Sequence, residues 1–128
     1  MILRSGIDLV EIERLSGLES PLRERFLARV FTPTERAQAG EDACSLAGRF
    51  AAKEAVAKAL GCGIGPVGWQ EIEILRGESG EPVLLLHGAA QGMAAALGLT
   101  NWTLSITHTR GLAAAVAMAV GLPPAPPG

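Results

Sequence analysis

The sequence predicts a single α+β domain in which an antiparallel sheet packs against one long helix. Three observations predict it. The apolar patterns run in the order strand, helices, two strands, helix, two strands. Two of the strand pairs are separated by short turn sequences, "GESGEP" and "HTRGL", the mark of hairpins and hence of antiparallel pairing. Between the first strand and the first hairpin lies an alanine-rich stretch, residues 44 to 60, closed by glycine.

Taken in order, "ILRSGIDLV" (residues 2 to 10) reads as a strand, with Asp8 between Ile7 and Leu9. Ser20 followed by Pro21 marks one helix start. Thr32, Pro33 and Glu35 mark another, with Thr32 as cap and Glu35 as its capping-box partner. On the helix from Cys44 to Leu60, Leu46, Phe50, Ala57 and Leu60 share one stripe. Lys53 falls inside that stripe, while Glu54 and Lys58 border it. "WQEIEILRG" and "PVLLLHG" form the first hairpin over residues 69 to 87, "GAAQGMAAALGL" the next helix, and "NWTLSITHT" with "LAAAVAMAV" the second hairpin. The domain spans residues 1 to 120. The proline-rich tail 121 to 128, "GLPPAPPG", reads as disordered.

The chain has 128 residues, 48% hydrophobic and 19% charged, which suits one soluble domain. Much of the apolar fraction is alanine, with 3 Phe, 2 Trp and no Tyr, so the core is light and association with further copies is favoured. A net charge of −2 argues against a nucleic-acid binder. No apolar run reaches the length of a membrane span, and the amino-terminal run is interrupted by Arg4 and Asp8, unlike a signal peptide. Cys44 and Cys62 have no metal-ligand spacing and read as reduced, buried thiols of a cytoplasmic protein.

Four features carry chemistry. Asp8 in an apolar strand would cost several kcal/mol to bury unpaired; it is either an outward-facing or capping residue, or part of a site. Glu54 and Lys58 have the spacing of an exposed helical ion pair worth about 0.3–0.5 kcal/mol, yet they lie beside the buried stripe. His108 ends a strand at a tight turn, where a structural role is the commoner one, and His87 reads as structural. Gly61, Gly63, Gly65 and Gly68 superficially suggest a phosphate loop, but the run closes a helix instead of opening one after a strand, which excludes the dinucleotide and P-loop fingerprints. Two carboxylates from distant segments can hold Mg²⁺ completed by substrate phosphates. A lysine beside them would neutralise phosphate charge, a combination suited to cleavage at a pyrophosphate.

"GIDLVEIERL", "FTPTERA", "LAGRFAAKEAVAKALGCGIG", "WQEIEI", "SGEPVLLLHGAA" and "LSITHT" resemble, in order and nearly in wording, the holo-[acyl-carrier-protein] synthase family, the small bacterial type of 4′-phosphopantetheinyl transferase. The resemblance covers roughly residues 3 to 119. It implies the phosphopantetheinyl transferase fold, a Mg²⁺-dependent transferase, and a place in fatty acid or polyketide metabolism. The reaction would move 4′-phosphopantetheine from coenzyme A to a serine of apo acyl carrier protein, releasing adenosine 3′,5′-bisphosphate. It further implies Asp8 and Glu54 as Mg²⁺ ligands and Lys58 as a contact to the coenzyme A phosphates. Arg49 with Gly61, Gly63 and Gly65 would line the coenzyme A cleft. Ser79 to Pro82 match a nucleotide-side turn, although Ser79 and Glu81 replace the family's Asn and Lys. His108 would stand by the adenosine part of the site. A water on the metal, Glu54 or His108 would take the serine proton. Arg14, Arg23, Arg25 and Arg29 would receive an acidic carrier, and a homotrimer would build each site from two subunits. The competing classes are a module that binds coenzyme A or carrier without turnover, and a structural protein whose charges are surface pairs.

Overall fold

The computed structural model describes residues 1–123; the expected tail beyond Pro123 lies outside them. The elements are β1 (Ile2–Glu11), α1 (Glu13–Ser16), α2 (Leu22–Val30), α3 (Pro33–Ala39), α4 (Ala43–Leu60), β2 (Ile72–Arg76), β3 (Pro82–Leu86), α5 (Gly88–Ala96), β4 (Leu99–Thr109) and β5 (Leu112–Gly121). β1, β5 and β4 form one antiparallel sheet with β5 central, and β2 and β3 form a separate hairpin. The α+β class, the long helix and both hairpins are as expected.

The alternation along β5 explains the layering. Ala113, Ala115, Ala117 and Ala119 are buried against α4, and their small side chains let sheet and helix approach closely. Gly6 of β1 sits at the tightest point: a β-carbon there would overlap the Ala55 carbonyl of α4. Gly6→Ala is therefore expected to destabilise the fold by about 1–3 kcal/mol, read as a lower urea midpoint at unchanged slope.

Several details differ from the sequence expectation. The α2 cap is Pro21, with no side-chain cap, so Ser20 lies one residue too early to reach the first turn. α1 is an additional helix, only four residues long. Trp69–Glu71 form a 3₁₀ turn instead of the start of β2, because the Glu71 carboxylate folds back to accept from the Gly68 N–H at 2.6 Å. Gly121 is still in the ladder, paired with Ile2 and Leu99. The two thiols are free but only half-buried.

α4 is also buried almost all round, not along one stripe. The sheet covers one side; Phe50, stacked on Trp69 at 4.9 Å and near Phe26 at 5.8 Å, packs the other. Lys53 is 0% exposed, as is Glu35. Lys53 Nζ donates to Glu35 Oε1 at 2.8 Å, to the Trp69 carbonyl at 3.0 Å and to the Ile72 carbonyl at 2.6 Å, which uses all three ammonium protons. Glu35 Oε1 also accepts from Thr32 N–H, completing the expected capping box, and Oε2 accepts from Ile74 N–H. One ion pair thus joins α3, α4 and β2 through backbone groups of each neighbour.

Candidate active site

Asp8 lies on the face of β1 turned toward α4, because Gly6 and Val10, two residues away on either side, are the buried positions of the strand. Its carboxylate is 18% exposed and accepts from Lys58 Nζ at 3.1 Å; the same ammonium donates to the Ile7 carbonyl at 2.9 Å. The helical spacing suggested a Glu54–Lys58 pair, but Lys58 reaches across to β1 instead. Glu54, one turn before Lys58, is half-buried. Burial pushes its carboxyl up, the Asp8 charge pushes it further, and Lys58 and Arg14 offset part of this. The two carboxylates therefore face one site and repel each other.

The end of α4 fixes this corner. Gly61 caps the helix at φ 82°, in the left-handed region, and its N–H bonds the Lys58 carbonyl. Arg4 Nε donates to the Ala59 carbonyl at 2.7 Å, and a β-carbon on Gly61 would collide with its guanidinium. Gly63 and Gly65 follow, with open space around each.

A second group of residues lies at the other end of α4. A cleft of about 390 Å³ is lined by Arg49, Arg76, Gly80, Pro82, Ile106 and His108, with Asp42, Cys44 and Ser45 of the α4 amino terminus on its rim. Arg49 is buried, donating to the Ile74 carbonyl at 2.8 Å and to Gln38 Oε1 at 3.1 Å. Ser79 is outside the lining; its N–H donates to the Glu81 carboxylate, which folds back into its own turn. Asp8, Glu54, Lys58, Gly61, Gly63 and Gly65 are also outside it. Within one chain the expected site residues thus form two separate groups: Asp8, Glu54 and Lys58 in one, and Arg49, Pro82 and His108 in the other.

Sequence reasoning missed Arg76 and Gln38. Arg76 reads as the polar end of a strand and Gln38 as a helix-surface residue, and neither carries a motif. Of the arginines expected to face a partner, Arg14, Arg25 and Arg29 are exposed. Arg14 stands over the Phe50 ring at 5.3 Å, close enough to Glu54 to lower its pKa. Arg23 is engaged internally, bonding Glu41 at 3.0 Å and the Leu15 carbonyl at 3.0 Å. His87, expected to be structural, pairs with Glu73 at 3.0 Å.

An antiparallel sheet thus lies over one long helix, with an acidic pair toward one end of that helix and a cationic cleft toward the other. The chain matches the 4′-phosphopantetheinyl transferase superfamily over residues 4–117 and belongs to that family of enzymes. It is 42% identical to the holo-[acyl-carrier-protein] synthase of Herpetosiphon aurantiacus, covering 94% of this chain and all of the relative. It is 48% identical to that of Moorella thermoacetica, covering 91% and 93% of the two chains. The crystal structure of the Helicobacter pylori holo-[acyl-carrier-protein] synthase in complex with coenzyme A superposes with a TM-score of 0.82 at 31% identity, over 91% of this chain and 99% of the other.

Proposed function

We propose that this chain transfers 4′-phosphopantetheine from coenzyme A to a serine of an apo acyl carrier protein, leaving adenosine 3′,5′-bisphosphate. The observation that carries the reading is the convergence of Asp8 from β1 with Glu54 and Lys58 from α4. Its relatives are named as synthases of holo carrier protein, and one is described in complex with coenzyme A.

The acidic pair fits Mg²⁺. Two carboxylates that repel each other at a half-exposed site are the donor set of an ion that takes one or two protein oxygens and leaves its other positions to water and phosphate. No third His, Cys, Asp or Glu joins them among the described residues, so a closed, all-protein metal cage is not on offer. Asp8 and Glu54 would hold the ion, which when bound supplies positive charge against the diphosphate. Lys58, whose ammonium is half-exposed, supplies a further compact cation to the same phosphates. The carrier serine oxygen would form a bond to the pantetheine-bearing phosphorus, giving its proton to a water, Glu54 or His108, as the bridging oxygen leaves with the adenosine bisphosphate.

The separation of the two residue groups favours a site shared between subunits. On the sheet face opposite α4, Leu3, Ile7 and Leu9 are 70%, 67% and 64% exposed, and Met118 beside them is 49% exposed. So large an uncovered apolar face favours self-association. A homotrimer that covers it, and sets the Arg49–His108 cleft of one copy against the acidic pair of the next, completes the site. Arg14, Arg25 and Arg29 then face an acidic carrier beside Glu54, raising its association rate.

Mixing the protein with coenzyme A, Mg²⁺ and an apo carrier tests the reading by intact mass. The carrier should gain one phosphopantetheine group, and EDTA should block the gain. Binding of coenzyme A or carrier with no mass gain would reduce the protein to a binding module.

A further inference from the structure

The cleft at the amino-terminal end of α4 holds two guanidinium groups from different elements, and one neutral side chain ties them together. Gln38, in the last turn of α3, accepts from Arg49 at 3.1 Å and from the Arg76 backbone N–H at 2.8 Å through the same Oε1. The Gln38 carbonyl accepts from the Arg76 guanidinium at 3.3 Å. The Ile74 carbonyl holds Arg49 from the other side at 2.8 Å. Among the described residues, neither arginine forms an ion pair with a carboxylate. Asp42 is the acid on the cleft rim, and its Oδ1 already accepts from Cys44 and Ser45 N–H groups as the α4 cap.

Like charges set side by side without a counter-ion are unfavourable in the free protein. Burial lowers the Arg49 pKa, and Arg76 lowers it further, against a smaller opposing effect of Glu35. An anion entering the cleft would relieve that repulsion. The choice of glutamine matters here. An amide oxygen fixes both arginines without cancelling their charge, which a glutamate at the same position would do.

We propose that Gln38 is a positioning residue that holds Arg49 and Arg76 as a two-cation clamp for a phosphoryl group at the nucleotide end of coenzyme A. This rests on the transferase reading above. Coenzyme A offers two such groups, the 3′-phosphomonoester and the diphosphate. Arg76 grips the anion directly; Gln38 acts through both arginines.

Steady-state transfer by Gln38→Met, Arg76→Ala and the double variant, with coenzyme A and with 3′-dephospho-coenzyme A, tests the clamp. Methionine keeps the volume of Gln38 and removes its acceptor. Each single variant should raise KM for coenzyme A about tenfold, the size of one charge-assisted contact. kcat should stay within about twofold, because the lost interaction serves binding. The double variant should fall short of the product of the two effects, since both act on one clamp. Gln38→Glu should raise KM more than Gln38→Met. A penalty confined to coenzyme A assigns the clamp to the 3′-phosphate, and equal penalties assign it to the diphosphate. A parent protein that transfers normally while both single variants keep its KM overturns the clamp and leaves the transferase reading standing. A parent that binds no coenzyme A overturns both.

Discussion

Glu54→Gln is expected to give a folded protein that is slightly more heat-stable than the parent at neutral pH and at least 10²–10³-fold slower in transfer, roughly the effect of removing one preorganised electrostatic group. The loss follows from removing half of the acidic pair. The gain in stability follows from the same pair. Burial and the Asp8 charge raise the Glu54 pKa in the folded chain, so the ionised side chain weakens the free fold. The sign fixes the pH window. Above its folded pKa the carboxylate is ionised in both states and its unfavourable effect is fully present. As pH falls through the folded value the native state takes up a proton first, and the parent recovers stability. Below the unfolded value, about 4.3, the difference between parent and variant should have vanished. Thermal unfolding of both proteins across this range, beside their transfer rates, checks stability and activity independently. Asp8→Asn should lose transfer to a similar degree. It also weakens the Lys58 ion pair, so it should not show the same gain in heat stability.

Lys53→Met is expected to lower stability by about 3–5 kcal/mol, the effect of breaking a buried ion pair from one side. The substitution leaves the Glu35 carboxylate in a 0% exposed position with only the Thr32 and Ile74 N–H donors, takes the Lys53 donor from the Ile72 carbonyl, and leaves the Trp69 carbonyl with only the Ile72 N–H. Lys53→Met combined with Glu35→Gln should recover part of the loss, because no uncompensated charge remains. Full additivity of the two substitutions in urea denaturation would mean that they do not interact in the folded chain. The pair matters beyond the core. Glu35 holds the Ile74 N–H, and the Ile74 carbonyl holds Arg49, so the same ion pair indirectly sets one wall of the cationic cleft.

The fold was legible because its strands and helices are punctuated by residues with specific backbone demands. Thr32, Pro33 and Glu35 form the capping box expected of them. Gly61 adopts the left-handed cap, and the "SGEP" segment turns a hairpin. α1 was not legible, because four residues are too few to show a period. The all-round burial of α4 was hidden by its composition: alanine is compatible with a packed or an exposed position, so periodicity marked only the large side chains. Lys53 did carry a signal. A lysine inside an apolar stripe needs a buried acid, and Glu35 was the available one, but its capping role accounted for it without an ion pair.

The acidic pair was reached through local strangeness and family resemblance together. Asp8 stood out in an apolar strand and Glu54 at the edge of an apolar stripe, yet nothing in their spacing says that β1 crosses α4 at that point. Gly6 is the physical link, since its missing side chain permits the crossing. The division of the expected site residues into two groups depends on which end of an 18-residue helix each one occupies. Arg49 and Lys58 sit far apart along that axis although they share one motif. Gln38 and Arg76 meet only because α3 packs on β2, a tertiary contact that no local pattern encodes.

Calorimetric titration of coenzyme A into the parent protein and into Glu54→Gln, each with Mg²⁺ and with EDTA, tests the central assignment most directly. Mg²⁺ should tighten coenzyme A binding to the parent by about tenfold or more, the contribution of one well-placed charge contact, and should leave the affinity of Glu54→Gln unchanged. An equal Mg²⁺-dependent gain in both proteins would contradict the assignment of Glu54 and Asp8 to the ion.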